Sequence, residues 1–243
     1  MTDLTQRQIK ILKHIIEEFI ETAEPIGSDT LEKKYSLGIS SATIRNEMSA
    51  LTQFGYLKKN HSSAGRSPTS MALKYYVRNL MIAKTLSVAE EIGAKEKVWD
   101  FRNQFEKFIK ETTKELANRT RSMAVATTEQ GSFYTHGACH LLDEREFFNI
   151  DVTKTVLSLL DNPNYWFDIL NKIDTENTET IIHLLVGEDL GMEHLETCGF
   201  IYQTYVAGPH RGILGVMGPA RSHYPRVVPL VNYFADLISS LTG

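Results

Sequence analysis

Arg45 and Asn46 are adjacent in a segment whose other polar residues are mostly small, and both side chains suit the reading of base pairs. Arginine can donate two parallel hydrogen bonds to guanine, asparagine can bond adenine in a similar bidentate way, and small residues fit against the thymine methyl group. These side chains reach base edges only if a helix presents them outward into a groove. Their chemistry therefore depends on the element that carries them.

The segment 39–54 has the pattern of an amphipathic helix. A serine hydroxyl at Ser40 or Ser41 can cap its first turn, where backbone amides have no partner within the helix. Apolar residues then recur on one face, at Ile44, Met48 and Leu51. The opposite face carries Ala42, Arg45, Asn46, Ser49 and Gln53, with Thr43 beside them. This outer face is either a base-reading surface or an ordinary solvated surface, and the flanking segments favour the first.

The flanks predict a winged helix-turn-helix. A capping box at 5–8 opens a first amphipathic helix, a short second helix starts near Ser28, and Gly38 provides a tight turn before the segment 39–54. A short strand at 56–59 and a turn-rich stretch at 60–69 follow, as in a basic hairpin or wing. The hairpin by itself is equally well explained as a plain surface feature.

Charge is distributed unevenly along the chain of 243 residues. The net charge is −4, yet residues 30–84 carry nine basic and two acidic residues. A basic segment on an acidic body is typical of a DNA-binding module, because cations neutralise phosphates. The predicted base-reading residues are Ser41, Thr43, Arg45, Asn46 and Ser49, with the cap Ser40 beside them. The predicted contacts to phosphates or the minor groove are Lys33, Lys34, Lys58, Lys59, His61 and Arg66.

The rest of the chain predicts a linker and a second domain. We expect a DNA-binding domain at 1–84, a linker with some helical character at 85–100, and a regulatory and dimerisation domain at 101–243. The apolar residues between 101 and 116 recur at helical spacing and predict either a core helix or a dimer surface. The order helix, strands, helices, strands, helix predicts an α+β domain with helices on a sheet face. The predicted strands are 123–127, 131–139, 180–186, 200–207 and 211–217, and the predicted helices are 152–160, 163–173 and 227–241.

Other functional classes find little support in the sequence. His136, Cys139 and His140 are close together, but Cys198 has no nearby partner, so we expect no metal site and no cofactor. The glycine-rich stretch 208–218 predicts a hairpin, because it lacks the spacing of a dinucleotide-binding loop. We therefore expect a non-enzyme. No apolar run is long enough for a membrane span and the cysteines form no disulfide framework, so we expect a cytoplasmic protein.

Three motifs together resemble the N-terminal domain of the HrcA family of heat-inducible transcription repressors. They are Pro25-Ile-Gly-Ser28, Ser41-Ala-Thr-Ile-Arg-Asn-Glu-Met48 and His61-Ser-Ser-Ala-Gly-Arg66 followed by Pro68-Thr69. The stretch 212–221, with Tyr224 and Arg226 after it, is similar to the end of that family's chains. The resemblance covers roughly the first 80 and the last 45 residues.

The resemblance implies a GAF-like second domain, repression of chaperone operons through an inverted-repeat operator of the CIRCE type, and a chaperonin partner. It also implies a homodimer on double-stranded DNA. The chain departs from the family pattern, because the route from Thr127 to Phe133 is too short for the dimerising domain that the family inserts. We therefore expect a short family member, with a GAF-like sheet that is complete or reduced, and the helix within 101–116 as a candidate dimer surface.

Two other functions remain open at this point. The chain is also interpretable as a metabolite-responsive repressor whose GAF-like domain holds a small ligand. A third interpretation, from a different class, is a winged-helix adaptor that binds RNA or another protein.

Overall fold

The computed structural model describes residues 4–59, 65–173 and 182–241, without the side chains of 170–173. The chain forms two compact units, residues 1–82 and residues 83–243. Within these described ranges, no helix is both long and apolar enough to cross a membrane.

The first unit consists of helices and one small hairpin. Its helices are α1 (Gln6–Thr22), α2 (Ser28–Lys34), α3 (Ser41–Gln53) and α4 (Ser70–Tyr75), and α4 continues into a π-helical turn (Tyr76–Leu80). Its strands are β1 (Leu57–Lys59) and β2 (Arg66–Pro68), which pair antiparallel with Leu57 opposite Pro68. The predicted capping box is confirmed, since Thr5 Oγ1 accepts from the Gln8 amide and Gln8 Oε1 accepts from the Thr5 amide.

One apolar core holds the first unit together. The side chains that face inward come from every helix and from β1, and all are almost completely buried: Ile11, Leu12, Ile15, Ile16, Leu31, Ile44, Met48, Leu51, Leu57, Leu73 and Tyr76. The connection between α2 and α3 turns at Gly38, whose φ of 68° lies in the left-handed region, as predicted. The burial of these side chains orients α3 relative to α1 and α2.

The second unit is an α+β domain, as predicted. Its helices are α5 (Val88–Trp99), α6 (Phe105–Thr120), α7 (Ile150–Ser158), α8 (Pro163–Ile173) and α9 (Tyr224–Ser239). Its strands are β3 (Met123–Thr128), β4 (Phe133–His136), β5 (His183–Val186), β6 (Cys198–Ala207) and β7 (His210–Pro219). The predicted strand 180–186 begins outside the described residues. Short 3-10 turns connect β4 to α7 and follow β5.

The five strands form one antiparallel sheet in the order β4-β3-β7-β6-β5. A sheet of this size flanked by helices is consistent with a GAF-like domain. The glycine-rich stretch lies in the β6–β7 hairpin, which pairs Ala207 with His210 and Cys198 with Pro219. Gly212 permits β7 to lie close to β3, because a Cβ atom at this position would lie 1.8 Å from the Thr127 carbonyl oxygen. The prediction of a hairpin is thus confirmed.

Both faces of the sheet are covered. On one face, α6 and α9 pack against the strands, and the amide of Gln203 on β6 donates to the Asp236 carboxylate on α9 at 2.9 Å. On the other face, Trp166 of α8 and Phe147 are buried against Phe200 and Met217. The Trp166 indole donates to the Leu159 carbonyl at 2.9 Å, which satisfies its buried polar group.

The stretch expected to be a linker with some helical character contains α5, which is capped by Ser87 and has Ala94 and Val98 fully buried. The expected dimer surface needs correction. The candidate dimer helix begins at Phe105 and not at Phe101, and its apolar stripe is buried within the unit at Phe108, Ile109 and Leu116. That stripe is core and is therefore not available as a dimer surface.

Candidate nucleic-acid interface

The outer face of α3 is polar and exposed, because the other face supplies the core. Ile44, Met48 and Leu51 are at most 3% exposed, so the helix cannot rotate without losing this burial. Arg45, Asn46 and Ser49 are exposed on the side away from the core, together with Ala42 and Gln53. This face matches the one that the sequence predicts.

Arg45 and Asn46 are available to a partner. Within the described parts of the chain, neither the Arg45 guanidinium nor the Asn46 amide forms a hydrogen bond or an ion pair. The Ser49 hydroxyl donates to the Arg45 carbonyl oxygen at 3.0 Å and retains its capacity to accept. Three adjacent polar side chains are thus presented by one rigid helix.

The first turn of α3 is fastened by hydroxyl groups and carboxylates. Ser40 is the N-cap, and its Oγ accepts from the Thr43 amide at 3.3 Å. The Ser41 amide donates to Glu32 Oε1 at 3.0 Å, and the Ser41 hydroxyl donates to the Asp29 carboxylate. This hydrogen bond lowers the pKa of Asp29, and the nearby Arg45 charge contributes in the same direction.

These contacts change the interpretation of three predicted residues. The sequence suggested that Ser41 and Thr43 read bases, but the Ser41 hydroxyl is used to join α3 to α2. Thr43 is half-buried, and its hydroxyl lies 3.1 Å from that of Ser40. Ser40, Ser41 and Thr43 thus contribute to the start of the helix, and base reading by Ser41 and Thr43 stays a prediction.

Glu47 connects the middle of α3 to α1. Its carboxylate accepts from Arg7 at 3.3 Å and from the Gln8 side chain at 3.1 Å. The same Gln8 closes the capping box of α1, so the start of α1 and the centre of α3 are joined by one short network. This network limits the movement of α3 relative to α1.

The hairpin lies beside the last turns of α3. Arg66 Nε donates to Thr52 Oγ1 at 3.3 Å, and Arg66 is half-buried. Arg66 therefore joins β2 to α3, and its guanidinium is not a fully exposed phosphate contact. Opposite it in register lies Lys59, which is exposed, as is Lys58. The predicted contact His61 lies outside the described residues.

Two family-like motifs meet at the base of the hairpin. Ile26 and Arg66 exchange backbone hydrogen bonds of 2.9 Å in both directions. Gly65 lies directly against Pro25, and a Cβ atom at Gly65 would lie 2.9 Å from the Pro25 backbone. The described ends of the two motifs, Pro25-Ile26 and Gly65-Arg66, are therefore in contact.

The two lysines of α2 differ in their surroundings. Lys33 is exposed and forms no ion pair with the described residues. Lys34 Nζ lies 2.5 Å from Glu18 Oε1, and the Tyr35 hydroxyl donates to the same oxygen. Burial by itself would raise the pKa of Glu18, but the hydrogen bonds from Lys34 and Tyr35 outweigh it and leave the pKa lowered. Lys34 is thus already engaged with its own unit.

Sequence reasoning missed the acidic and hydroxyl partners that position the basic residues. Glu18 lies on the first amphipathic helix and carries a charge, yet it is only 4% exposed. Asp29, Glu32 and Thr52 were not singled out either. Their spacing relative to their partners is long-range, so no local pattern could have identified them.

The histidines and cysteines that the sequence analysis weighed as metal ligands, and set aside, differ in their surroundings. Cys198 is fully buried in the core of the second unit, whereas Cys139 is exposed. Burial raises the pKa of the Cys198 thiol to about 12, which disfavours the thiolate that metals bind. Across the residues that the structure describes, no group of three or more histidine, cysteine or acidic side chains is arranged to hold a metal ion.

The chain resembles one protein family in sequence and a solved structure in fold. Residues 72–228 match the family model described as HrcA protein C terminal domain. The Heat-inducible transcription repressor HrcA of Carboxydothermus hydrogenoformans is 25% identical, over 99% of this chain and 98% of that protein. Its counterpart in Clostridium tetani is 45% identical over 124 residues, which are 51% of this chain and 35% of that protein. A solved structure of a hypothetical protein shares the fold, with a TM-score of 0.73 at 18% identity over 98% of both chains.

The first of these alignments extends over 341 positions, although the chain has only 243 residues. The relative therefore contains internal residues that this chain lacks, in agreement with the short form that the sequence predicts. Both ends of the two proteins nevertheless align, and the family model covers well over half of the chain. The chain belongs to the HrcA family.

Proposed function

We propose that the chain is a heat-inducible transcription repressor whose first unit is a winged helix-turn-helix that binds operator DNA. One observation carries this proposal: Arg45 and Asn46 are exposed, without partners among the described residues, on a helix whose opposite face is locked in a core. A helix presented in this way fits the major groove, and its two side chains can each bond one base in a bidentate manner. We assign α3 as the recognition helix and Arg45, Asn46 and Ser49 as its base-reading residues.

Phosphate contacts come from the exposed cations around α3. Lys33 lies on α2, which precedes the recognition helix, and Lys58 and Lys59 lie on β1, which follows it. Lys34 adds positive charge beside Lys33, although it is paired with Glu18. Such contacts raise affinity for any DNA and fix the register of the protein on the duplex. We include His61 in the same wing. Arg66 joins this wing to α3 through Thr52.

The operator is an inverted repeat of the CIRCE type, and the chain binds it as a homodimer. The support is the family relationship together with a symmetry argument, because two equal half-sites require two equal reading heads. The burial of the α6 stripe leaves other surfaces of the chain for this dimer contact.

Heat inactivates the repressor by shifting a marginally stable protein toward forms that do not bind. A stability of about 5–15 kcal/mol is typical of domains, so modest heating changes the folded fraction strongly. A chaperonin that assists refolding then sets the concentration of active repressor, because during heat shock other unfolded proteins occupy the chaperonin. The relatives are named heat-inducible transcription repressors, which supports this part of the proposal.

The test is a binding titration by fluorescence anisotropy with the full chain. The probes are duplexes from upstream of its own gene, a scrambled duplex of equal composition, and the corresponding RNA hairpin. We expect the native duplex to bind about 10³-fold or more tightly than the scrambled one. We also expect sedimentation to show two protomers per duplex. Brief heating should abolish binding, and chaperonin with ATP should restore it. Equal affinity for both duplexes, or tighter binding of RNA, would refute the assignment.

A further inference from the structure

A cavity of about 570 Å³ lies in the second unit. It is bounded by the end of α5, the start of α6, the turn between β6 and β7, and the residues after α9. Cavities of this volume are typical of small-molecule sites.

Three aromatic rings contribute to the walls of the cavity. Phe105 and His210 both line it, and their rings stack with centroids 3.9 Å apart and planes 12° apart. Trp99 lines it from the end of α5. The ring surfaces that remain open to the cavity favour a planar ligand, because a further ring maximises contact with them.

Among the described residues that line the cavity, the only side chain with a permanent charge is Arg102. One of its terminal nitrogens donates to the Trp99 carbonyl at 3.0 Å, and its guanidinium carbon lies 5.6 Å from the Trp99 ring centroid. A guanidinium has five N–H donors, and the described residues accept from only one of its nitrogens. Arg102 is therefore held in place by Trp99 and retains donors for an anion.

His210 adds an unused polar group. Its Nδ1 is shielded from solvent and has no hydrogen-bond partner in the described part of the chain. Because Nδ1 is shielded, His210 contributes to the wall through the rest of its ring. Asn103, also in the lining, contributes an amide that can donate or accept.

We propose that this cavity binds a small planar aromatic anion, with its ring against Trp99 and the Phe105–His210 pair and its anionic group on Arg102. All the residues in contact with the ligand would belong to the second unit. This inference does not depend on the proposed DNA function, because binding of the ligand is measured directly.

The test is isothermal titration of the full chain with benzoate, benzamide and acetate. Benzoate carries both the ring and the charge, benzamide keeps the ring without the charge, and acetate keeps the charge without the ring. We expect benzoate to bind in the micromolar to low millimolar range and each of the other two at least about 10-fold more weakly. Benzamide or acetate binding as tightly as benzoate, or no benzoate binding, would overturn the proposal.

Two variants locate the site. Arg102→Gln keeps a hydrogen-bond donor near the Trp99 carbonyl but removes the charge, and we expect at least about a 10-fold loss of benzoate affinity. The matched control is Lys107→Gln, which removes a cation that lies over the Phe101 ring at 4.4 Å and outside the cavity lining. Unchanged benzoate affinity in the first variant, or equal losses in both, would place the ligand elsewhere.

A second lining residue keeps the test decisive if Arg102→Gln unfolds. His210→Phe preserves a ring that can stack on Phe105 but removes the ring nitrogens, so we expect a weaker affinity for benzoate and an unchanged circular dichroism spectrum. Retention of full affinity in His210→Phe would contradict a role for the polar ring of His210 and, if Arg102→Gln cannot be measured, the assignment of this cavity.

Discussion

Arg66 Nε donates to Thr52 Oγ1 at 3.3 Å, so the second strand of the hairpin is joined to the last turn of α3. The hydroxyl of Thr52 in turn donates to the Met48 carbonyl at 2.8 Å, which keeps it oriented toward Arg66. A residue predicted to touch DNA thus also bonds within the protein, and this hydrogen bond is one of the contacts that orient the hairpin, together with the backbone pairing of Ile26 with Arg66.

Thr52→Val removes that acceptor at nearly constant volume. We expect the first unit to lose about 0.5–1.5 kcal/mol of stability, the usual net value of one hydrogen bond. We also expect weaker operator binding, because the hairpin is no longer held beside α3. Urea unfolding and anisotropy titrations measure the two effects. If the hairpin acts independently of α3, the variant will bind DNA like the wild type.

Arg45→Ala tests base reading. The exposed side chain contributes little to the fold, so stability should stay within about 0.5 kcal/mol of the wild type. Operator affinity should fall by about 1–3 kcal/mol, with discrimination relaxed at a single base pair. A titration against duplexes mutated one base pair at a time identifies that position. Equal losses on cognate and scrambled DNA would assign Arg45 to phosphate instead.

Lys59→Ala tests the wing as a phosphate contact. Because phosphate carries no sequence information, affinity should fall about equally for operator and scrambled DNA. The slope of log affinity against log salt concentration should become less steep by about one unit. Anisotropy titrations at several salt concentrations give that slope. Lys107→Ala, in the second unit, serves as the matched control and should leave the slope unchanged.

Gly65→Ala tests the packing of the hairpin base. A Cβ atom would lie 2.9 Å from the Pro25 backbone, so one of the two segments must move. We expect a loss of about 1–3 kcal/mol, as for overpacked cores. Gly93→Ala is the contrasting change, because Gly93 lies within α5 and its Cβ would make an ordinary contact of 3.6 Å. That variant should gain about 0.5–1 kcal/mol. Thermal unfolding of both variants checks the opposite signs.

Glu18 predicts a pH dependence of stability. Its pKa in the folded unit is lower than in the unfolded chain, so its contribution is fully present above about pH 4.5 and is lost as the pH falls through the folded pKa. Glu18→Gln should therefore lower stability at pH 7 and make the first unit less sensitive to acid below pH 4.5. Urea midpoints between pH 7 and pH 3 test this expectation. Glu96→Gln, at an exposed position of α5, should reproduce the wild-type profile.

Local patterns predicted most of the elements in this chain. The capping box at Thr5, the N-cap at Ser40 and the stripe of Ile44, Met48 and Leu51 are properties of neighbouring residues, and the structure has them where the sequence indicates. The segment around α5 was harder to interpret, because its charged residues obscure the two buried positions Ala94 and Val98. The observed helices α6 and α9 begin at Phe105 and Tyr224, a few residues from the predicted starts. Helix ends are the part of a helix that a local pattern defines least well.

By itself, the sequence determined that a basic module with Arg45 and Asn46 on one helix face precedes an acidic α+β body, because periodicity, capping and charge are local quantities. Only the tertiary structure decided that Glu18 is buried beneath Lys34, that Arg66 supports the hairpin, and that the α6 stripe belongs to the core. It also brought Arg102 and His210, which are far apart in the sequence, to one cavity. These relationships join residues that are distant in the chain, and chain spacing does not encode distances in space.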